Sequence, residues 1–255
     1  MHLEPIPAFE DNYIWAVHDG RSALFVDPGE AAPILAWLEQ QSIQPVAILI
    51  THHHGDHCGG LPELLARYDV PVYGPAHEAI RGVRQPLTEN MPCRIPELGL
   101  SFQVLEIPGH TPGHIAYFGH GWLFCGDTIF SCGCGKVFGS TVEHLYASLS
   151  RLAKLPENTL VCCAHEYTLD NIRFAMTIDP GNPALMKWRD QAELLRRQGR
   201  PTLPVTLGDE LARNPFLRSG QPEIQARLTD LTGRADLTDA GRTFAALRRE
   251  KDHFG

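Results

Sequence analysis

Residues 52–57 read His52-His53-His54-Gly55-Asp56-His57, four imidazoles and a carboxylate directly after the apolar run Val46-Ala47-Ile48-Leu49-Ile50. A single histidine in such a place is better read as a hydrogen-bonding group than as a ligand. The pattern His-x-His-x-Asp-His is different, because neighbouring protonatable groups repel one another when charged and crowd one another without a cation. Imidazole nitrogen and carboxylate oxygen suit zinc, iron or manganese, and their density here permits two ions.

Such side chains converge only if the backbone holds them at a common edge. A strand over Val46–Thr51 followed by a tight loop presents His52, His54, Asp56 and His57 at the end of a sheet. Three further strand ends supply similar donors. Pro108-Gly109-His110-Thr111-Pro112-Gly113-His114 follows a strand at 101–107, Gly126-Asp127 follows one at 122–125, and Ala164-His165-Glu166 follows one at 159–163. Two four-coordinate sites sharing one carboxylate take about seven protein ligands. The chain offers seven in matching contexts: His52, His54, Asp56, His57, His110, Asp127 and His165.

The rest of the pattern frames these ends. Strands are expected at Ala23–Asp27, Val46–Thr51, Pro71–Tyr73, Ser101–Ile107, Ile115–Phe118, Trp122–Cys125 and Thr159–Cys163, with helices near 31–41, 60–68 and 141–154. After His165 only helices are expected, at 168–176, 183–198 and 239–250, separated by turns such as Asp179-Pro180-Gly181 and Arg218-Ser219-Gly220. The expected organisation is therefore α/β, with a metal-binding domain over 1–165 and a smaller all-helical domain over 166–255.

Composition sets the outer bounds. A chain of 255 residues, 43% hydrophobic and 20% charged, buries a sizeable core. No apolar run approaches the roughly 20 residues of a membrane span, and Met1-His2-Leu3-Glu4-Pro5 has neither the basic nor the apolar part of a signal peptide, so a cytoplasmic protein is expected. Seven cysteines, two of them adjacent, fit reduced thiols better than a disulfide framework. Residues 1–165 carry 8 Lys/Arg against 17 Asp/Glu, and residues 166–255 carry 14 against 13. The acidic part suits cations, and no basic stripe marks a nucleic-acid binder.

The motif His52-x-His54-x-Asp56-His57, with His110, Asp127 and His165 at later strand ends, resembles the metallo-β-lactamase superfamily. More narrowly, Thr51-His52-His53-His54, Gly133-Cys134-Gly135-Lys136, His165-Glu166-Tyr167-Thr168, Asn214-Pro215-Phe216 and Arg248-Arg249-Glu250-Lys251-Asp252 resemble glyoxalase II, the hydroxyacylglutathione hydrolases, from end to end. The resemblance implies an αββα metallo-β-lactamase sandwich, a helical C-terminal domain and a site for two divalent metal ions, zinc first, with iron or manganese as alternatives. It implies hydrolysis of S-D-lactoylglutathione to D-lactate and glutathione, the second step of methylglyoxal detoxification. Carried onto this chain, it gives His52, His54 and His110 to one ion and Asp56, His57 and His165 to the other, with Asp127 bridging. Asp56 and Asp127 are then the catalytic carboxylates, and Lys136, Tyr167, Arg248 and Lys251 bind the glutathione thioester. The expected protein acts as a monomer on a small molecule, with no nucleic acid or membrane partner.

Chemistry agrees with that implication. A divalent metal brings the pKa of water from about 15.7 to about 7, so a nucleophile exists at neutral pH without a serine, and no Gly-x-Ser-x-Gly elbow occurs. A thioester leaves as a thiolate with a conjugate-acid pKa of roughly 8.5 and requires little general-acid help. On spacing alone, Arg248 and Lys251 read as a solvated helix end; the resemblance reverses that reading. His53 is expected to point away from the ligands, His114 to fix its turn by hydrogen bonding, Asp27 to serve a turn or support the ligands, and Cys58, Cys132 and Cys134 to stay outside the metal set. Two departures from the family stand out. Phe138 replaces a common tyrosine, removing a hydroxyl from the glutathione site, and Ala164 replaces a common glycine before His165. Rival readings are a lactonase, an iron persulfide dioxygenase, and a non-catalytic metal-stabilised binding module.

Overall fold

His2–Ala8 and Asn12–His18 form an N-terminal hairpin, β1 and β2, in which Pro5 faces Trp15 and Pro7 faces Tyr13. Neither strand is among those expected from sequence. Proline removes a ladder donor and argues against a strand, yet β1 is the edge of its sheet, where one side needs no donor. The computed structural model describes residues 1–254 and resolves into two compact units. The first comprises Met1–Ile107, Thr111–Gly126 and Cys162–His165; the second comprises Pro108–His110, Asp127–Val161 and the chain from Glu166 onward.

In the first unit the hairpin continues into β3 (Ser22–Val26), α1 (Ala32–Gln41), β4 (Gln44–Leu49), α2 (Gly55–Cys58), α3 (Leu61–Arg67), β5 (Val72–Pro75) and β6 (Gln85–Leu87). The strands form one sheet in the order β1-β2-β3-β4-β5-β6, antiparallel through β3 and parallel from β3 to β6. Helices supply the crossovers from β3 to β4 and from β4 to β5, while β5 reaches β6 through a loop. Ile34 and Leu38 of α1 and Leu61 and Leu64 of α3 are buried with Phe25, Ile48, Ile50 and Val72 in one apolar core. Each such side chain contributes about 1.5–3 kcal/mol by leaving water. Because β3 and β4 are parallel, with Val26 opposite Leu49, the segments after them emerge side by side.

A second sheet holds β7 (Pro92–Ile95), β8 (Leu100–Glu106), β9 (Ile115–Gly119) and β10 (Trp122–Gly126), antiparallel in sequence order. Within this unit the Tyr117 hydroxyl donates to Ile50 O (2.9 Å) and the Trp15 indole to Cys163 O (3.0 Å), tying the two sheets together.

The second unit contains β11 (Ile129–Phe130), β12 (Gly133–Cys134), α4 (Val142–Leu152), the start of β13 (Leu160–Cys163), α5 (Thr168–Ile178), α6 (Pro183–Arg197), β14 (Val205–Thr206), α7 (Leu207–Arg213), α8 (Pro222–Thr232) and α9 (Ala240–His253). Its core gathers Leu145 and Leu149 from α4, Phe174 and Ile178 from α5, Ile224 and Leu228 from α8, and Phe244 and Leu247 from α9 around Phe216.

Sequence expectation and structure part company at several places. Besides β1 and β2, the short strands β6, β7, β11, β12 and β14 are additional. So the region after His165 is not helical alone: Val205–Thr206 pairs antiparallel with Leu160–Val161. Helices α7 and α8 are additional too. Both carry start signals, the Thr206 hydroxyl accepting from Asp209 N and a proline opening α8, with Gly233 in the left-handed conformation closing the latter. The loop after β4 contains a helical turn, α2, rather than extended chain. Among the described residues no helix is long and apolar enough to cross a membrane.

Candidate metal centre

The paired ends of β3 and β4 make the floor of the site. Thr51 donates its backbone N–H to Asp27 Oδ1 and its hydroxyl to Asp27 Oδ2, both at 2.7 Å. Since the Thr51 proton points to Asp27, its oxygen accepts from His52 Nδ1 at 3.0 Å, which places the lone pair of His52 on Nε2, 3.1 Å from His54 Nδ1. Asp27 adopts φ +54°, a left-handed conformation that aspartate tolerates better than most residues. Gly29 follows at a point where a Cβ would overlap the carbonyl oxygen of Asp56, so glycine lets α2 close onto this edge.

Asp56 and His57 lie on the single turn of α2, immediately after His54. Asp56 Oδ2 is 3.4 Å from Nε2 of His57 and 3.4 Å from Nε2 of His165. The donor atoms of these three residues all lie within 4.8 Å of one another. Both imidazoles are turned outward at Nδ1 onto carboxylates: His57 onto Asp27 Oδ2 at 3.0 Å and His165 onto Asp11 Oδ1 at 2.8 Å. Asn12 Nδ2 donates to Asp56 Oδ2 at 3.2 Å. His165 and His57 together hold the Asp56 carboxyl well below the usual carboxylate range, so it is an anion across the physiological range.

These separations fit a cation. Direct charge-assisted hydrogen bonds are about 2.7–2.9 Å long, whereas two donors each about 2.1 Å from one tetrahedral ion lie about 3.4 Å apart. A carboxylate or carbonyl on Nδ1 fixes the tautomer that leaves Nε2 as the coordinating atom.

Two more of the expected ligands lie within the second unit. His110 turns Nδ1 onto Lys136 O at 2.8 Å and brings Nε2 to 3.5 Å from Asp127 Oδ2. Gly135 packs where a Cβ would overlap the carbonyl oxygen of Asp127, and its N–H donates to Thr128 O at 3.2 Å. The Phe138 ring meets His110 edge-on at 5.3 Å while its N–H donates to His110 O at 2.8 Å. His/Asp clusters of this kind are typical of a metallo-β-lactamase dimetal site.

Of the expected substrate-binding residues, Lys136 is exposed and Tyr167 is half-buried, edge-on to Phe130 at 5.3 Å. Lys251 Nζ donates to Asp170 O at 3.3 Å and lies 5.5 Å from the Phe174 ring; burial and the neighbouring Arg248 lower its pKa. Arg248 is only 3% exposed, and its guanidinium faces protein partners: Cys134 O, Gly135 O and Asp252.

His53 points away from the ligands to Glu78 at 2.8 Å, and His114 donates from Nδ1 to Ile115 O at 3.1 Å with its ring stacked on His52. Glu78 also accepts from Thr111 Oγ1 and Gly113 N, fixing the turn beyond His110. Among the described residues no cysteine joins a metal-ligand cluster. Asp11, Asn12 and Glu78 went unnoticed in the sequence; the only available signal was Asp11-Asn12 preceding an apolar strand run.

Known proteins match the chain throughout its length. The metallo-beta-lactamase superfamily model matches residues 9–165, and the model of the hydroxyacylglutathione hydrolase C-terminus matches residues 166–254. The hydroxyacylglutathione hydrolase of Nitrosomonas eutropha is 53% identical over 250 residues, covering 98% of both chains, and that of Nitrosomonas europaea is 52% identical over 254 residues, covering all of this chain and 97% of the other. Among solved structures, ETHE1 from Myxococcus xanthus superposes with a TM-score of 0.66 at 22% identity, covering 98% of this chain and all of the other, a likeness of fold alone. TTHA1623, solved in a di-iron-bound form, superposes with a TM-score of 0.60 at 28% identity over 84% of this chain and all of its own. The chain belongs to the hydroxyacylglutathione hydrolase family of the metallo-β-lactamase superfamily.

Proposed function

We propose that the chain hydrolyses the thioester of S-2-hydroxyacylglutathiones, S-D-lactoylglutathione foremost, to the hydroxy acid and glutathione. The observation that carries this reading is the end-to-end identity with hydroxyacylglutathione hydrolases, including the helical region that carries the family's own C-terminal pattern. In this reading His52, His54 and His110 hold one divalent ion, Asp56, His57 and His165 hold a second, and Asp127 is shared. The di-iron form of TTHA1623 supports two ions per chain; zinc, iron or manganese fills them according to supply. Divalent ions held by these residues would supply a nucleophile from water at neutral pH and would polarise the thioester carbonyl.

The protein's own groups do the rest. Asp27 and Asp11 keep His57 and His165 in one tautomer and one orientation. Asp56, anionic and steadied by Asn12, orients the attacking water rather than storing its proton. Lys136, Tyr167 and Lys251 receive the glutathione moiety, whose carboxylates complement the two ammonium groups. Residues 1–165 carry the metals and residues 166–255 the helical part that binds substrate. The protein acts as a cytoplasmic monomer, and its seven cysteines, all present as thiols, suit a reducing compartment. Turnover of lactoylglutathione, a simple lactone and glutathione persulfide, measured alongside metal content, tests the reading. Preference for either of the latter two substrates overturns it.

A further inference from the structure

We propose that Arg248 is a positioning residue for the metal ligand His110, acting through the backbone of Cys134–Lys136; the inference rests on the hydrolase reading above for its activity assays. The guanidinium of Arg248 is 3% exposed, and a charge so placed must be paired and hydrogen-bonded. Nη1 donates to Cys134 O at 2.8 Å and reaches Gly135 O at 3.3 Å. Nε and Nη2 engage Asp252 Oδ1 at 3.1 and 2.9 Å. Both edges of the fork are therefore occupied by the protein, and a substrate carboxylate would have to displace Asp252 to use it.

The held carbonyls precede the one that matters. Lys136 O, next in the chain, accepts from His110 Nδ1 at 2.8 Å and so sets which nitrogen of His110 faces Asp127. Gly135 lies hard against the Asp127 carbonyl. A shift of this segment moves both ligands together. The other end of the same hairpin is fixed independently: fully buried Glu210 accepts from Cys132 N at 2.7 Å, and Asn214 Nδ2 donates to Phe130 O and Gly133 O at 3.1 and 2.9 Å. With that end anchored by α7 and Gly135 N–H bonded to Thr128 O, Arg248 on α9 supplies the side-chain hold on the carbonyls of residues 134 and 135. The C-terminal helices thus shape the ligand geometry of their own unit, a role separate from contacting glutathione.

The test uses the zinc-loaded full chain. Arg248→Met removes the fork while keeping much of its length, and Arg248→Lys restores one donor. Zinc release into excess EDTA is followed with time, and kcat and KM are measured on lactoylglutathione and on a thioester lacking the glutathione carboxylates. Arg248→Met is expected to release zinc about tenfold faster, the low end of effects for groups that orient a ligand. Its kcat should fall by a similar factor on both substrates with KM steady, and Arg248→Lys should recover part of each loss. Zinc retention equal to the parent's, with KM raised on the glutathione substrate alone, overturns the proposal. If Arg248→Met does not fold, Arg248→Lys decides by the same two readouts. Absence of turnover by the parent would overturn the hydrolase reading, while zinc release still judges Arg248.

Discussion

Asp27 accepts a 3.0 Å hydrogen bond from Nδ1 of His57 across a separation of 30 residues. The bond leaves His57 Nε2 facing Asp56, and the same carboxylate also fixes Thr51. Asp27→Asn keeps the shape but can place an N–H donor where His57 needs an acceptor, which favours the tautomer that cannot coordinate through Nε2. Metal affinity should fall about 10- to 100-fold, with activity falling in parallel. Zinc titration of the apoprotein checks this; parental affinity in the variant would remove Asp27 from ligand orientation.

In the proposed reading, Asp127 is the one carboxylate shared by both ions. Asp127→Ala should lower the occupancy of both sites and nearly abolish hydrolysis. Metal analysis after dialysis measures this directly, and a variant that keeps two ions with near-parental turnover would take Asp127 out of the bridge.

The cluster that could hold metal was readable in the sequence because four of its donors, His52, His54, Asp56 and His57, are local, and residue type and spacing carry the chemistry. Of what holds them, Asp27 was readable, as a carboxylate at a strand end on the same edge, and it meets His57; the rest was not. Asp11 meets His165 across 154 residues, and Lys136 meets His110 through a backbone carbonyl, which has no sequence signature at all. The same limit applies to the fold. Apolar runs followed by a helical pattern, such as those ending at Val26 and Leu49, announce themselves, whereas β1 is masked by its two prolines and β14 is only two residues long, defined by its partner rather than by its own pattern. Glu210 carries no sequence sign of burial, because the hairpin donor it meets lies nearly eighty residues earlier in the chain.

The thiols should be bystanders. Burial pushes Cys134 up to about 11 and Cys93 up to about 12, and raises Cys58, Cys132 and Cys162 as well, so little thiolate exists at neutral pH. Alkylating reagents should leave most of the activity at pH 7, while a strong chelator removes it. Loss of turnover on alkylation with both metals retained would instead point to a covalent thiol mechanism.

Cys93 also makes stability depend on alkaline pH. Its folded pKa, about 12, exceeds the ordinary value near 9, so between those limits the unfolded chain binds fewer protons than the folded one. The stabilisation is fully present below pH 9 and is lost as pH rises toward 12, by up to about 1.4 kcal/mol per pH unit. Cys93→Ala lowers stability near neutral pH through its cavity but should flatten this slope, so that the difference from the parent narrows as pH rises. Urea denaturation at pH 8 and pH 10.5 separates the two effects, and an unchanged slope in the variant would place the alkaline sensitivity elsewhere.

In the proposed reading, Lys251 of α9 binds the glutathione moiety. Its ammonium donates to a backbone carbonyl, an acceptor that a carboxylate can replace without stranding a buried charge. Lys251→Ala removes binding shared by ground and transition states, so KM should rise while kcat stays comparatively steady. A charge-assisted bond contributes roughly 1.5–3 kcal/mol, and the partial exposure of this side chain favours the lower end, about tenfold in kcat/KM. The effect must depend on substrate: a thioester lacking the glutathione carboxylates should be hydrolysed equally by variant and parent. Added salt should erode the parent's advantage on the glutathione substrate alone. Because burial lowers the lysine pKa, that advantage should also fade on the alkaline side earlier than for an ordinary lysine, as the ammonium loses its proton. An equal loss on both substrates, or a loss confined to kcat, would mean that Lys251 supports the helix rather than the ligand, and would return the specific hydrolase reading to an unspecified metallohydrolase.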